Sequence, residues 1–376
     1  MSDAVPVSGR VEARFGAVRA AFRHNLDSGE DLGAAFTVIR DGEILVDLIG
    51  GYEDRKRETL WSEQTIACVY SSGKAVMSAL IAKAVSDGLL DYDRPVADVW
   101  PDFAAGGKEA ITLAQALSHQ GGLCGFPDEM NPADWLDWDA ICSRLAAMAP
   151  LWAPGSASGY HPQTVGFIGG EVLRRVNGKS VGALIADAPH AQGLQLFCGM
   201  RADQMARAAY MPKPPKAPDL GEINEVTKLA FLKPWSAPAK VAREDWMAAE
   251  LPASNMHGDA RALATFVHPF AIGGAGMNGD PFIDPAVVEA ALKVRSEGPD
   301  LVLPFTLCWA AGLMKNTQGH FGPSASAYGH AGFGGSCVVV DPDRRVSMAY
   351  VMNKMSPHLV GDPRALRLID AVYDCL

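Results

Sequence analysis

The chain has 376 residues, 48% hydrophobic and 20% charged, an ordinary globular composition with length for two domains or one large one. Its 33 basic and 43 acidic side chains give a net charge of −10 with no lysine- and arginine-rich stripe, so nucleic acid is not an expected partner. No apolar run reaches the length of a membrane span, and Met1 to Asn25 carries charges throughout, unlike a secretory leader.

Val11, Phe15, Val18 and Phe22 recur at helical spacing and predict an opening amphipathic helix. Residues 34–40 and 43–49 read as two strands joined by Asp41-Gly42, a strong hairpin signal. Next, Ser71-Ser72-Gly73-Lys74 leads into residues 74–86, apolar on nearly every face and closed by Asp87-Gly88, as expected of a buried helix with a glycine cap. From about 91 to 250 the strand signals fade. Helical patterns at 113–118, 135–148 and 165–176 alternate there with glycine- and proline-rich loops. Residues 211–238 carry six prolines and read as a long irregular excursion, a lid or a linker.

Further on, 254–268 reads as a helix and 305–313 as a strand. Residues 336–340 and 346–353 form a second hairpin around Asp341-Pro342-Asp343-Arg344. A last helix begins with Asp362 as N-cap and Pro363 in its first turn, with Leu366, Ile369 and Tyr373 on one face. Strands at both ends with helices between predict an α+β protein in two parts. Residues 1–90 and 251–376 form a discontinuous sheet domain, and 91–250 form an inserted helical domain with the lid-like segment 211–238.

Seven scattered cysteines, never in C-x-x-C spacing, suit reduced thiols of a cytoplasmic protein. None of the nine histidines falls in a metal-binding spacing, so no cofactor or metal is expected.

The chemistry concentrates at Ser71 and Lys74. Three residues apart at a helix start, they share one face, and the first-turn N–H groups there lack intrahelical partners. One segment thus offers a hydroxyl nucleophile, an amine to take its proton and a donor for an oxyanion, the parts of acyl transfer. Taken alone, S-x-x-K equally describes an N-cap serine and a solvated lysine. Three other segments add weight. Tyr160-His161-Pro162 follows the turn-rich residues 154–159. His330-Ala331-Gly332-Phe333-Gly334-Gly335-Ser336 leads into the second hairpin, and Leu117-Ser118-His119-Gln120-Gly121-Gly122-Leu123 closes a middle helix.

In that order these segments, with Gly50-Gly51-Tyr52, Asn255-Met256-His257-Gly258 and Val351-Met352-Asn353, resemble the serine β-lactamase and penicillin-binding-protein superfamily. Within it the chain resembles the class C β-lactamase-related carboxylesterases, often called family VIII esterases. The resemblance covers most of the chain. It implies a β-lactamase-like fold, a central antiparallel sheet flanked by helices plus a mostly helical insertion. It also implies that Ser71 is the acylated nucleophile, that Lys74 helps deprotonate it, and that Tyr160 assists as base and protonates the leaving alcohol. His330-Ala331-Gly332 matches the substrate-binding K-T-G strand, and the oxyanion hole would be the backbone N–H groups of Ser71 and Phe333. A free lysine titrates near about 10.4 and a free tyrosine near about 10, so either becomes a base at neutral pH only when its surroundings shift it. Which of the two acts first stays open.

The sequence departs from the β-lactamase pattern twice. Pro162 stands where asparagine would orient the lysine, and proline offers neither a side-chain amide nor an N–H. His330 replaces the lysine of K-T-G, which weakens recognition of a ligand carboxylate. These departures favour a cytoplasmic esterase acting on small-molecule carboxylic esters with short acyl chains over a β-lactamase, amidase or transacylase. A non-catalytic binding protein is the rival from another class, and the sequence is silent on oligomeric state. Gly178-Lys179-Ser180-Val181-Gly182 fits the G-x-S-x-G pattern of α/β-hydrolases, but it follows a helix. Gly178 therefore reads as a C-cap and Ser180 as the next N-cap. His119 reads as structural, and Asn255 and His257 as shaping a helix start.

Overall fold

A computed structural model of the chain describes residues 4–214 and 216–376. Met1 to Asp3 of the N-terminal reading and Pro215 of the proline-rich segment lie outside them. Among the described residues, nine strands form one antiparallel sheet. Its N-terminal strands are β1 (Val7–Val11), β2 (Gly33–Arg40) and β3 (Glu43–Gly51). Two-residue strands β4 (Ala67–Cys68), β5 (Leu196–Phe197) and β6 (His257–Gly258) form a separate small sheet in the order β4-β6-β5. The large sheet resumes with β7 (Ser296–Pro299), β8 (Thr306–Trp309), β9 (Met314–Lys315), β10 (Tyr328–Ala331), β11 (Cys337–Asp341) and β12 (Val346–Met352). Its spatial order is β1-β3-β2-β12-β11-β10-β9-β8-β7. β12 pairs directly with β2, so the chain's two ends meet at the centre of the sheet.

The β2–β3 hairpin forms as expected. Arg40 pairs with Glu43, and Asp41 and Gly42 both take positive φ, 52° and 83°, the turn whose twist matches the strands it joins. β11 and β12 are buried along their whole length, because helices cover both faces of the sheet. One face carries Phe36, Val38, Val339 and Met348 against α1 (Gly16–Asp27) and the C-terminal helix. The other carries Ala35, Ile39, Val338 and Ala349 against α2 (Gly73–Ser86) and later helices. α2 is buried from Gly73 to Ala82, which is why its sequence shows no polar face. α3 (Thr164–Asn177) packs on α2 and lies with the irregular middle of the chain.

Several expectations are corrected. Val11 is not helical. It closes β1, paired with Val46, and the helix starts only at Gly16. The stretch 254–268 is not one helix either. His257 and Gly258 are drawn into β6 by partners on both sides, and Asp259 caps a shorter α4 (Ala260–Val267) by accepting the Ala262 N–H at 2.6 Å. The pattern at 135–148 breaks at Asp137, extended at φ −93° and ψ 102°, which ends a 3₁₀ turn and caps the helix Trp138–Ala147. The strand foreseen at 305–313 stops at Trp309. The proline-rich excursion contains a short helix, Glu225–Thr227, continuing into a π-helical turn, Lys228–Leu232. α5 (Pro363–Tyr373) begins as expected, with the Asp362 carboxylate accepting the Arg364 N–H at 2.9 Å. Among the described residues no helix is long and apolar enough to cross a membrane.

Candidate active site

The segment before α2 is bent sharply. Val69 donates its N–H to the Met256 carbonyl at 2.9 Å. Tyr70 then takes φ 45°, a left-handed conformation that costs a non-glycine residue about 1–3 kcal/mol and persists where packing dictates it. A single 3₁₀ turn, Tyr70–Ser72, leaves Ser71 half-buried at the mouth of α2. The Tyr70 ring packs edge-on against Phe333, centroids 5.7 Å apart.

Lys74, one turn on, is 2% exposed. Its Nζ lies 2.8 Å from Ser71 Oγ, 2.9 Å from the Pro162 carbonyl and 2.8 Å from the Ala253 carbonyl. A neutral amine fits this cage: its two N–H bonds satisfy the two carbonyls, and its lone pair faces the serine hydroxyl. An ammonium fits it as well, with three donors for three acceptors. Burial pushes the Lys74 pKa well below the ordinary lysine value, favouring the neutral form. The Ala253 carbonyl is supplied by a loop that Asn255 pins. The Asn255 amide donates to the Trp246 and Ala249 carbonyls at 2.6 and 2.8 Å and accepts the Leu251 N–H at 3.0 Å. Proline at 162 therefore removes a side-chain donor while its own carbonyl still orients the lysine.

Tyr160 is 7% exposed, and the centre of its ring is 5.1 Å from Lys74 Nζ. Burial raises the pKa of its phenol, the Ser71 hydroxyl beside it works in the opposite direction, and the Asp300 carboxylate adds to the rise. So the two candidate proton carriers are pushed apart, the amine towards neutrality and the phenol towards staying protonated. The ring lies nearly parallel to Trp309 and Phe231, at 5.9 and 6.5 Å, with His119 edge-on at 4.8 Å. Asp300 fixes the backbone here, its Oδ1 accepting the N–H groups of Tyr160, Val302 and Leu303 at 2.9 to 3.0 Å.

His119 and His161 are architectural in geometry. His119 is buried, and its Nδ1 accepts the His161 N–H at 3.1 Å. His161 accepts the Leu123 N–H on Nε2 at 2.8 Å, which leaves Nδ1 to donate to the Gly159 carbonyl at 2.6 Å. Burial lowers its pKa to about 4. His330 is 2% exposed behind the Tyr160 and Trp309 rings, and burial, helped by Lys74, lowers its pKa to about 3. Both effects favour the neutral imidazole over a cation of the K-T-G kind.

Two serines that the sequence reading left without a role join the halves of the site. Ser72 Oγ donates to the His330 carbonyl at 3.2 Å, and Ser336 Oγ donates to the Val69 carbonyl at 2.7 Å. The two hydroxyls are 3.0 Å apart. Gly332 lies between these strands, where a Cβ would collide with Ser336 Oγ and the Val69 carbonyl. The loop after β10 is thereby locked beside the Ser71 turn. Among the described residues, the N–H groups of Ser71 and Phe333 have no protein acceptor. Ala331, next to them, is half-buried.

Sequence reasoning also passed over the Ala253 and Pro162 carbonyls, which carry no residue-type signal, and Asp300 and Phe231. The π-helical turn that presents Phe231 is a local irregularity of a kind frequent at functional sites, but no residue pattern marks it. Ser180 lies apart from this cluster. It is exposed as the N-cap of a different helix, Val181–Asp187, accepts the Ala183 N–H at 3.3 Å and donates to Glu250 at 2.6 Å, and Gly178 before it takes φ 66°. Among the described residues no three His, Cys, Asp or Glu side chains converge as metal ligands.

A family profile described as Beta-lactamase matches residues 18–372. Esterase/beta-lactamase LipL of Mycobacterium tuberculosis is 31% identical over 373 residues, covering 94% of this chain and 84% of LipL. The solved structure of a penicillin-binding protein homolog from Caulobacter crescentus superposes with a TM-score of 0.95 at 48% identity, covering 99% of this chain and 100% of that one. The structure of a family VIII carboxylesterase superposes with a TM-score of 0.92 at 35% identity, again covering 99% and 100%.

Proposed function

The chain belongs to the Beta-lactamase family, and we propose that this hydrolase cleaves carboxylic esters of short acyl chains through an acyl-enzyme on Ser71. One observation carries the proposal: a buried amine, Lys74 Nζ, 2.8 Å from the Ser71 hydroxyl, whose other two neighbours are carbonyls that can take only N–H bonds.

In this reading Lys74 takes the Ser71 proton as Oγ bonds to the ester carbonyl carbon. The carbonyl oxygen gains the negative charge and is held by the N–H groups of Ser71 and Phe333. As the C–O bond to the alcohol breaks, Tyr160 donates its phenolic proton to the departing oxygen and regains one from the Lys74 ammonium. Water then attacks the acyl-enzyme, its proton passes to the same pair, and Ser71 Oγ leaves carrying a proton back. Lys74 is the first base because its surroundings favour the amine, whereas those of Tyr160 favour the phenol.

Neutral esters are the preferred substrates, since His330 supplies no fixed cation for a carboxylate and the walls near Ser71 are aromatic, Tyr70 with Phe333 on one side and Tyr160 with Phe231 on the other. Hydrolysis of β-lactams is the second reading, favoured by the double name of LipL. A panel of p-nitrophenyl esters of rising chain length, run beside a chromogenic cephalosporin, separates the two. Short esters should turn over fastest, and equal turnover of the cephalosporin would replace the first reading by the second. Mass spectrometry after treatment with a serine-directed phosphonate should find the adduct on Ser71, and an unlabelled Ser71 would end both.

A further inference from the structure

The loop that would offer the Phe333 N–H is rich in glycine, at 332, 334 and 335, and such a backbone has little conformational preference of its own. Internal bonds hold part of it: the Gly332 N–H reaches the Ser336 carbonyl at 2.8 Å and the Gly335 N–H reaches the Gly332 carbonyl at 3.0 Å. The rest of the grip comes from the far end of the chain. Arg364, in the first turn of α5 and 4% exposed, donates from Nη2 to the Gly334 carbonyl at 2.8 Å. Ser356 donates its N–H to the same oxygen at 2.9 Å.

Arg364 is itself held on every side. Its Nε and Nη2 make a two-point contact with the Asp362 carboxylate, at 3.0 and 2.8 Å. Its Nη1 donates to Asp31 at 3.0 Å and to the Lys354 carbonyl at 2.6 Å. Asp31 is fully buried and receives the Tyr350 hydroxyl on both oxygens, at 2.6 and 2.7 Å. The loop backbone rests directly on this cluster. Gly335 has φ 122°, and a Cβ there would collide with Arg364 Nη2 and an Asp362 oxygen. Burying one guanidinium and two carboxylates is a weak way to gain stability, whereas a planar, multiply bonded guanidinium fixes a carbonyl in position.

We propose that Arg364, oriented by Asp31 and Asp362, is a positioning residue that sets the oxyanion hole by clamping the Gly334 carbonyl one residue beyond the Phe333 N–H. The inference rests on the reading of that N–H as an oxyanion donor. Lysine at 364 keeps the charge but cannot reproduce the fork that reaches Asp362 and Gly334 together.

The test compares Arg364→Lys with Arg367→Ala, on the same helix one turn closer to solvent, which loses contacts to Glu30 and Asn25 but touches nothing in the loop. In Arg364→Lys, kcat and the affinity for a boronic acid, a tetrahedral anion analogue, should fall together by at least about tenfold with KM little changed. Arg367→Ala, at a similar loss of thermal stability, should keep both. If Arg364→Lys does not fold, Asp31→Asn, nearly isosteric, takes its place with the same expectation. Unchanged kcat and boronate affinity, or equal losses in Arg367→Ala, would overturn the proposal. Phe333→Pro, which removes the donor itself, keeps the two levels apart. If it is inactive while Arg364→Lys is normal, only the positioning role fails. If it is fully active, the oxyanion assignment fails and the inference with it.

Discussion

Ser71 and Ser180 each stand at the start of a helix with a charged-type neighbour within hydrogen-bonding distance, and each lies in a short motif associated with serine hydrolysis. Their surroundings differ. Ser180 is exposed, its hydroxyl donates to the Glu250 carboxylate, and its oxygen caps the helix by accepting the Ala183 N–H. Its hydroxyl is thus occupied on both sides and open to solvent. The neighbour of Ser71 is an amine stripped of water, whose two remaining partners are carbonyl oxygens. Burial lowers the Lys74 pKa and favours the neutral amine that the proposed mechanism requires, whereas Ser180 is exposed. On the proposed mechanism, what separates the two serines is the exclusion of water around the partner of Ser71.

The comparison can be broken most directly at the hydroxyl. Ser71→Ala should lower turnover of a short p-nitrophenyl ester by more than about 10⁴-fold, as loss of a nucleophile does elsewhere. Activity surviving in that variant would move the chemistry to another residue. Lys74→Met, which fills a similar space without a basic amine, should cost about 10²–10⁴-fold in kcat while leaving the fold intact by circular dichroism. A mild effect would mean the cage is structural.

A pH profile sharpens the same contrast. Folding lowers the Lys74 pKa, so the free amine appears at lower pH than for an exposed lysine, and kcat/KM should rise with pH through a limb below the ordinary lysine range. His330 titrates at about 3 and His161 at about 4, so neither produces a limb near neutrality. The limb should therefore keep its position in His330→Gln, and its disappearance there would transfer the base role to the imidazole. The smallest effect belongs to the other serine. Ser180→Ala should leave kcat/KM unchanged and lower the stability measured by urea unfolding by about 1 kcal/mol, the usual loss for an N-cap.

Much of this was legible because local chemistry wrote it into the chain. The Asp41-Gly42 turn, the Asp362-Pro363 helix start, the continuous apolar face of α2 and the Gly178 cap each reflect preferences that act over a few residues. The errors at Val11 and at 254–268 share one cause. Each segment had a plausible helical spacing, and each was claimed by strands distant in sequence, β3 in the first case and β4 with β5 in the second. Within the candidate site, the side chains of Ser71, Lys74 and Tyr160, which the structure brings together, were singled out by type and order. The carbonyls of Pro162 and Ala253 could not, since every residue has one.

The amino-acid sequence by itself determined the candidate reacting groups and the hairpin turns and helix caps, because hydrogen-bonding chemistry and turn preference are carried by neighbouring residues. Only the tertiary structure decided that residues 71, 74, 160, 162 and 253 surround one buried amine, and that Arg364 reaches the glycine loop. A pKa and an oxyanion geometry depend on which distant atoms replace water, and that is fixed when the chain's two ends close the sheet.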